Sequence, residues 1–144
     1  MYKIISFQLA NEVYGINVEN VGEILKKIEI AEVPNTNPYI EGVINLRGNV
    51  IPVVNLVKKF NLKQNRDNNL EDKIIVIDDI EEQVGVLVDD VREVIKIEAD
   101  MIEEVPKIYT ELPKEFYAGV VNIEGRMIIL LDILKILSLK EEEV

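Results

Sequence analysis

Two stretches of this chain spell the same pattern seventy residues apart. Asn11-Glu12-Val13-Tyr14-Gly15-Ile16-Asn17-Val18-Glu19-Asn20-Val21-Gly22-Glu23-Ile24 aligns with the segment from Glu81 to Val94, setting Gly15 over Gly85, Val18 over Val88, Val21 over Val91 and Glu23 over Glu93. Val33-Pro34 then matches Val105-Pro106, and Gly42-Val43-Ile44-Asn45-Leu46-Arg47-Gly48 matches Gly119-Val120-Val121-Asn122-Ile123-Glu124-Gly125. Anchors recurring in one order over this length mark a duplicated unit, not a chance likeness of apolar sequence. The copies span about 1–64 and 73–140. Residues 61–72, rich in Asn, Asp and Lys, form a polar connection between them.

Within each copy the apolar period is two. Ile5, Phe7 and Leu9 alternate with Ser6 and Gln8, and Tyr14, Ile16 and Val18 alternate with Gly15 and Asn17. This predicts two half-buried strands joined by a short turn at Ala10-Asn11-Glu12. In the second copy Ile74-Ile75-Val76-Ile77 is apolar throughout, which predicts a strand covered on both faces. Asp78 to Glu82 is its turn and Val84 to Val88 its return strand.

After each hairpin the spacing changes. Val18, Val21, Ile24 and Leu25 fit one helical face, as do Val88, Val91, Val94 and Ile95, which predicts one or two helical turns in each copy. A short strand ending at Val33-Pro34 follows. Next come the Gly-Val-Ile-Asn-Leu-Arg-Gly strand, a tight turn at Gly48 and a return strand from Val50 to Val54. Pro52 lacks an amide hydrogen, so that strand is expected at an edge or bulged. Short apolar helices, Asn55 to Phe60 and Asp132 to Leu137, close the copies.

About five short strands per roughly 65 residues lose their open edges best by curling closed. The expected fold is all-β: two small five-stranded barrels with short helices, one at 1–64 and one at 73–140, packed side by side because so small a barrel has a marginal core alone. Sequence leaves open an exchange of strands between them.

Composition narrows the function. The chain has no Cys, His or Trp, and its only Ser and Thr residues are Ser6, Ser138, Thr36 and Thr110. Thiolate chemistry, disulfides and every His-dependent triad are therefore excluded. The 27 acidic against 16 basic side chains give a net charge of −11, which repels nucleic acid and anionic lipid. No stretch approaches 18 consecutive apolar residues, and the start carries no signal-peptide pattern, so a cytoplasmic protein without membrane insertion is expected.

Carboxylates are the remaining catalytic resource. Asp78-Asp79 and Asp89-Asp90 are adjacent pairs, but neighbours in an extended chain point apart and do not face each other across a substrate. They read as a turn and a helix start. An EF-hand spacing is absent, as are GxGxxG and GxxxxGK[ST]. No cofactor, metal or catalytic residue is expected. Arg47 is one of four arginines. At a strand end it can fork onto a carboxylate such as Glu23. The second copy keeps Glu93 but has Glu124 in the place of Arg47, so the first copy alone carries this pairing.

Phe7-Gln8-Leu9, Glu12 to Ile16, Val21-Gly22-Glu23-Ile24, Tyr39 to Gly48, Val50-Ile51-Pro52-Val53, Val84 to Val91 and Leu131-Asp132-Ile133 together resemble the CheW family of chemotaxis coupling proteins, over essentially the whole chain. The resemblance implies two SH3-like five-stranded barrels, no catalysis, and an adaptor; because the sequence ends at Glu141-Glu142-Glu143-Val144, a free-standing one is expected. Its implied partners are the cytoplasmic tip of methyl-accepting chemoreceptors and the regulatory domain of the chemotaxis histidine kinase. Its implied place is the cytoplasm, with receptor arrays at the inner membrane. The receptor tip would sit against Val21, Glu23, Ile24, Gly42 and Arg47, with Val91 and Val94 contributing from the other barrel. The kinase would pair through barrel ends.

A helical receptor tip could lay apolar side chains in a groove between barrels, with Glu23 and Arg47 as a polar rim setting orientation. Two rival classes are an acid-catalysed hydrolase and a small-ligand or carbohydrate-binding barrel, the latter needing an enclosed pocket.

Overall fold

The computed structural model describes residues 2–26, 29–34, 37–62, 72–78, 83–106, 110 and 112–142. Most of the 61–72 connection, Asp79 and the Asp78–Glu82 turn beyond Asp78 lie outside the described residues. Ten strands run in chain order: β1 (Tyr2–Leu9), β2 (Glu12–Asn17), β3 (Val21–Lys26), β4 (Ile40–Leu46), β5 (Asn49–Asn55), β6 (Lys73–Ile77), β7 (Val84–Val88), β8 (Asp90–Ile97), β9 (Tyr117–Ile123) and β10 (Arg126–Leu131). Two α-helices follow β5 and β10: α1 (Leu56–Lys59) and α2 (Ile133–Glu142).

The strands form two five-stranded sheets, ordered β8-β1-β2-β10-β9 and β3-β6-β7-β5-β4. Neither sheet is built from one repeat half. The first half's opening hairpin, β1–β2, sits between β8 and β10 of the second half. The second half's opening hairpin, β6–β7, sits between β3 and β5 of the first. The barrels therefore do not coincide with 1–64 and 73–140: each includes a hairpin of the other half, the strand exchange that the sequence left open. The chain divides into one compact unit of Met1–Phe7, Val13–Asn20 and Arg92–Val144, and a second of Gln8–Glu12 and Val21–Val91. Local patterning fixes which residues form strands but not which distant strand they pair with. That choice is made at the parallel joins, Tyr14 beside Ile129 and Gly15 beside Leu130 in one sheet, Val53 beside Gly85 in the other.

The inner face of each sheet is filled. Ile4, Ile97, Val121, Ile128 and Leu130 make one core, with Val13, Ile95 and Ile123 against it. Ile44, Ile51, Val53, Ile74 and Val76 make the other, with Leu25 and Leu46 against it. In both sheets the two end strands contribute to one core, which an open flat sheet does not allow, so each sheet curls on itself. Ile74, Ile75, Val76 and Ile77 are each fully buried, as their unbroken apolar run predicts.

The helical turns expected after each hairpin are strands instead. A single 3-10 turn, Val18–Asn20, leads straight into β3, and the Val91–Ile95 segment lies within β8. The helix-like spacing has a local cause in the first copy: burial along β3 alternates without a break, but Glu23 holds an inner-phase position and Ile24 an outer one, so apolar identity does not follow the strand period.

Pro52 is not on an edge strand, since β5 lies between β7 and β4. It is tolerated because it sits opposite Val43, and Val43 spends its own N–H and C=O on Ala31, both bonds at 2.9 Å. The ladder to β7 is registered from Val53 onward, so no bond calls for the missing amide hydrogen.

Repeat symmetry reaches the caps. The Asn55 side chain accepts from the Lys58 amide at 3.1 Å, and Asp132 accepts from Lys135 at 3.2 Å. Each bond satisfies an orphan donor at the start of its helix.

Candidate docking site

The β4–β5 turn is the most constrained part of the site. Arg47 has φ +53° and Gly48 φ +86°, the left-handed pair that a two-residue hairpin turn needs to match strand twist. Gly48 takes this conformation without a Cβ penalty, whereas Arg47 does so at a cost of about 1–2 kcal/mol. The Asn45 side chain helps hold the turn by accepting from the Gly48 amide at 3.0 Å. The second copy repeats the device, with Glu124 at φ +53°, Gly125 at +86° and Asn122 accepting at 2.9 Å. The strained backbone therefore belongs to the repeat, and only the side chain distinguishes the copies.

That side chain makes a fork. Arg47 Nη1 donates to Glu23 Oε2 at 2.6 Å and Nη2 donates to Glu23 Oε1 at 3.0 Å. Glu23 lies on β3 and Arg47 at the tip of β4–β5, and β3 and β4 are the two ends of the sheet order. The fork thus bridges the seam where the sheet curls closed. The guanidinium holds the Glu23 carboxyl below the ordinary carboxylate range, and the carboxylate raises Arg47 in turn. Arg47 remains 70% exposed, so the pair presents charge at the surface while contributing little to folding.

The other expected residues fall into three groups. Val21, half-buried, and Ile24, 42% exposed, share β3 with Glu23. Gly42 is on β4 and buried. A Cβ there would run into the Ala31 carbonyl, so Gly42 shapes the strand's path and offers no side chain of its own. Val91, half-buried, and Val94, 59% exposed, lie on β8 in the other sheet. The structure thus brings Glu23 and Arg47 into contact, with Val21 and Ile24 on the same strand as Glu23, whereas Gly42 lies farther along β4 against Ala31.

Asp89 is not at a helix start. It is buried, its carboxylate accepts from the Ala10 amide at 2.7 Å, and its own amide donates to the Gln8 carbonyl at 3.0 Å. These bonds hold the β1–β2 turn, where Ala10 and Asn11 both have positive φ, and give Asp89 a structural occupation instead of a catalytic one.

Val50 is not among the residues expected at the site. It is 68% exposed, the largest exposure among the large hydrophobics of the described residues, and stands two residues past the Arg47–Gly48 turn, opposite Asn45. Its position next to a turn, on the outward phase of β5, was the available signal.

A match to the CheW-like domain spans residues 3–141. The chain belongs to the CheW-like family. It is 35% identical over 140 residues to a chemotaxis protein CheW of Thermotoga maritima, covering 95% of this chain and 88% of that one. With a chemotaxis protein CheW of Treponema pallidum it shares 30% over 143 residues, covering 97% and 84%. The crystal structure of a scaffolding CheW protein from Thermoanaerobacter tengcongensis superposes with a TM-score of 0.82 at 36% identity, covering 92% of this chain and 84% of that one. CheW-like proteins are scaffolds, not enzymes. Among the described residues, no helix is long and apolar enough to cross a membrane.

Proposed function

We propose that this chain is a non-enzymatic chemotaxis adaptor that binds both the cytoplasmic tip of transmembrane chemoreceptors and the regulatory domain of the chemotaxis histidine kinase, working beside receptor arrays at the inner membrane. The forked Glu23–Arg47 pair carries this reading. It is a surface feature that stabilises little, yet it is held in fixed geometry by a strained turn, a side-chain cap and the seam of a closed sheet. Such pre-organised surface charge suits recognition, where it sets orientation more than affinity.

The receptor tip docks on the β3 side of this unit, with Val21 and Ile24 supplying apolar contact, Glu23 and Arg47 the polar rim, and Gly42 the path of the β4 backbone. Val91 and Val94 on β8 are further proposed receptor contacts. The absence of Cys and His supports binding over catalysis. A pull-down tests the coupling: immobilised receptor-tip fragment should retain the kinase regulatory domain only when this protein is added. Retention that does not depend on this protein would contradict the proposal.

A further inference from the structure

Every sheet here needs both repeat halves. Without β6 and β7, β3 and β5 have no strands to join them, and without β1 and β2 the same holds for β8 and β10. Unpaired edges of that kind invite pairing with another chain. The halves are joined covalently only between the end of α1 and the start of β6. No ladder bond depends on the two halves sharing one chain.

We infer that a second copy of this chain is a partner for each half, and that two copies exchange halves. The first half of one copy then completes both sheets with the second half of the other. The exchange keeps the Tyr14–Ile129 and Val53–Gly85 registers and the Asp89 bonds to the β1–β2 turn, because each of these already joins one half to the other. It also keeps Glu23 with Arg47, since both come from the first half. The exchanged dimer therefore carries two forked pairs. A short tether gives the intrachain partner an effective concentration on the order of millimolar, so dilute chains fold as monomers. Chains folded together at high concentration form the dimer, which persists because reverting requires the sheets to open.

Complementation tests this with two full-length variants. Phe7→Asp buries a charge in the first half and Ile128→Asp buries one in the second, so each should fail to fold alone. Denatured together and refolded at high concentration, they should regain about half of the dispersed amide spectrum of the wild type, in a species of twice the chain mass. A mixture as unfolded as the separate variants, under conditions where the wild type refolds, would overturn the inference. A second assay covers the case in which either variant folds alone. The natural chain has no Cys, so a Tyr14→Cys copy co-refolded with an Ile129→Cys copy should give a disulfide-linked pair on a non-reducing gel. Failure to form that pair would equally overturn it.

Discussion

Arg47 grips Glu23 with both terminal nitrogens of its guanidinium, at 2.6 and 3.0 Å, across the seam between the two outermost strands of one curled sheet. The unit completed by β9 and β10 has an acid at both corresponding positions, Glu93 and Glu124, and can form no such fork. Two near-identical turns thus present opposite charge. In the proposed docking, this difference, more than the shared backbone, sets the two faces apart.

Reversing the charge at Arg47 should weaken receptor binding while leaving the fold intact. Arg47→Glu sets two carboxylates against each other at the seam. The expected loss in affinity for a receptor-tip fragment is about tenfold, the scale of one lost rim interaction with added repulsion. The thermal midpoint should fall by no more than about 2 °C, because the pair is exposed. Calorimetric titration and a thermal melt on the same preparation check both halves of the prediction.

The Glu23 carboxyl should titrate below the ordinary Glu value of about 4.3, because Arg47 favours its charged form. Any stability the pair adds is complete above the unfolded-state value and lost as pH falls through the depressed folded one. Carbon-detected NMR titration of Glu23 should show the low midpoint in the wild type and its return toward about 4.3 in Arg47→Gln.

Two glycines with positive φ should respond differently to alanine. Gly48, φ +86°, has open space where a Cβ would go, so Gly48→Ala should cost about 1–2 kcal/mol of backbone strain alone. At Gly42, φ +151°, the new Cβ meets the Ala31 carbonyl. Gly42→Ala must also break or distort the two Ala31–Val43 bonds, at about 1 kcal/mol each. Urea denaturation should therefore rank Gly42→Ala as the more damaging by about 2 kcal/mol.

Phe7 is fully buried and packs against Tyr14 with ring centroids 6.2 Å apart. Phe7→Ala should destabilise by about 3–5 kcal/mol through lost burial and a residual cavity. A midpoint shift in denaturant at unchanged slope checks it.

The sequence made some of this legible and concealed the rest, for physical reasons. Gly48 after Arg47, and Gly125 after Glu124, announced two-residue turns because few other residues accept that backbone. The apolar run Ile74 to Ile77 announced a strand covered on both faces, and the repeat announced two similar sheets. The β3 strand was hidden because a carboxylate, Glu23, takes an inner-phase position and an apolar residue, Ile24, an outer one, which disguised a period of two as a helical one. Val94, expected at the docking surface, is exposed together with Val50 among the large aliphatics. The pairing of β1–β2 with β8 and β10 could not be read locally at all, since alternation along a strand records which face is buried and says nothing about its neighbour. The Glu23–Arg47 contact was foreseen as a pair, but on a helix that does not exist. The two residues meet because a sheet curls, not because a helix turns.

Backbone amide shift mapping tests the central claim most directly. Labelled protein titrated with an unlabelled receptor-tip fragment should show its largest perturbations at Val21 to Lys26 and around Arg47, with further changes at Val91 and Val94. Perturbations confined to β9, β10 and the Glu124 turn, or no perturbation at saturating fragment, would contradict the account.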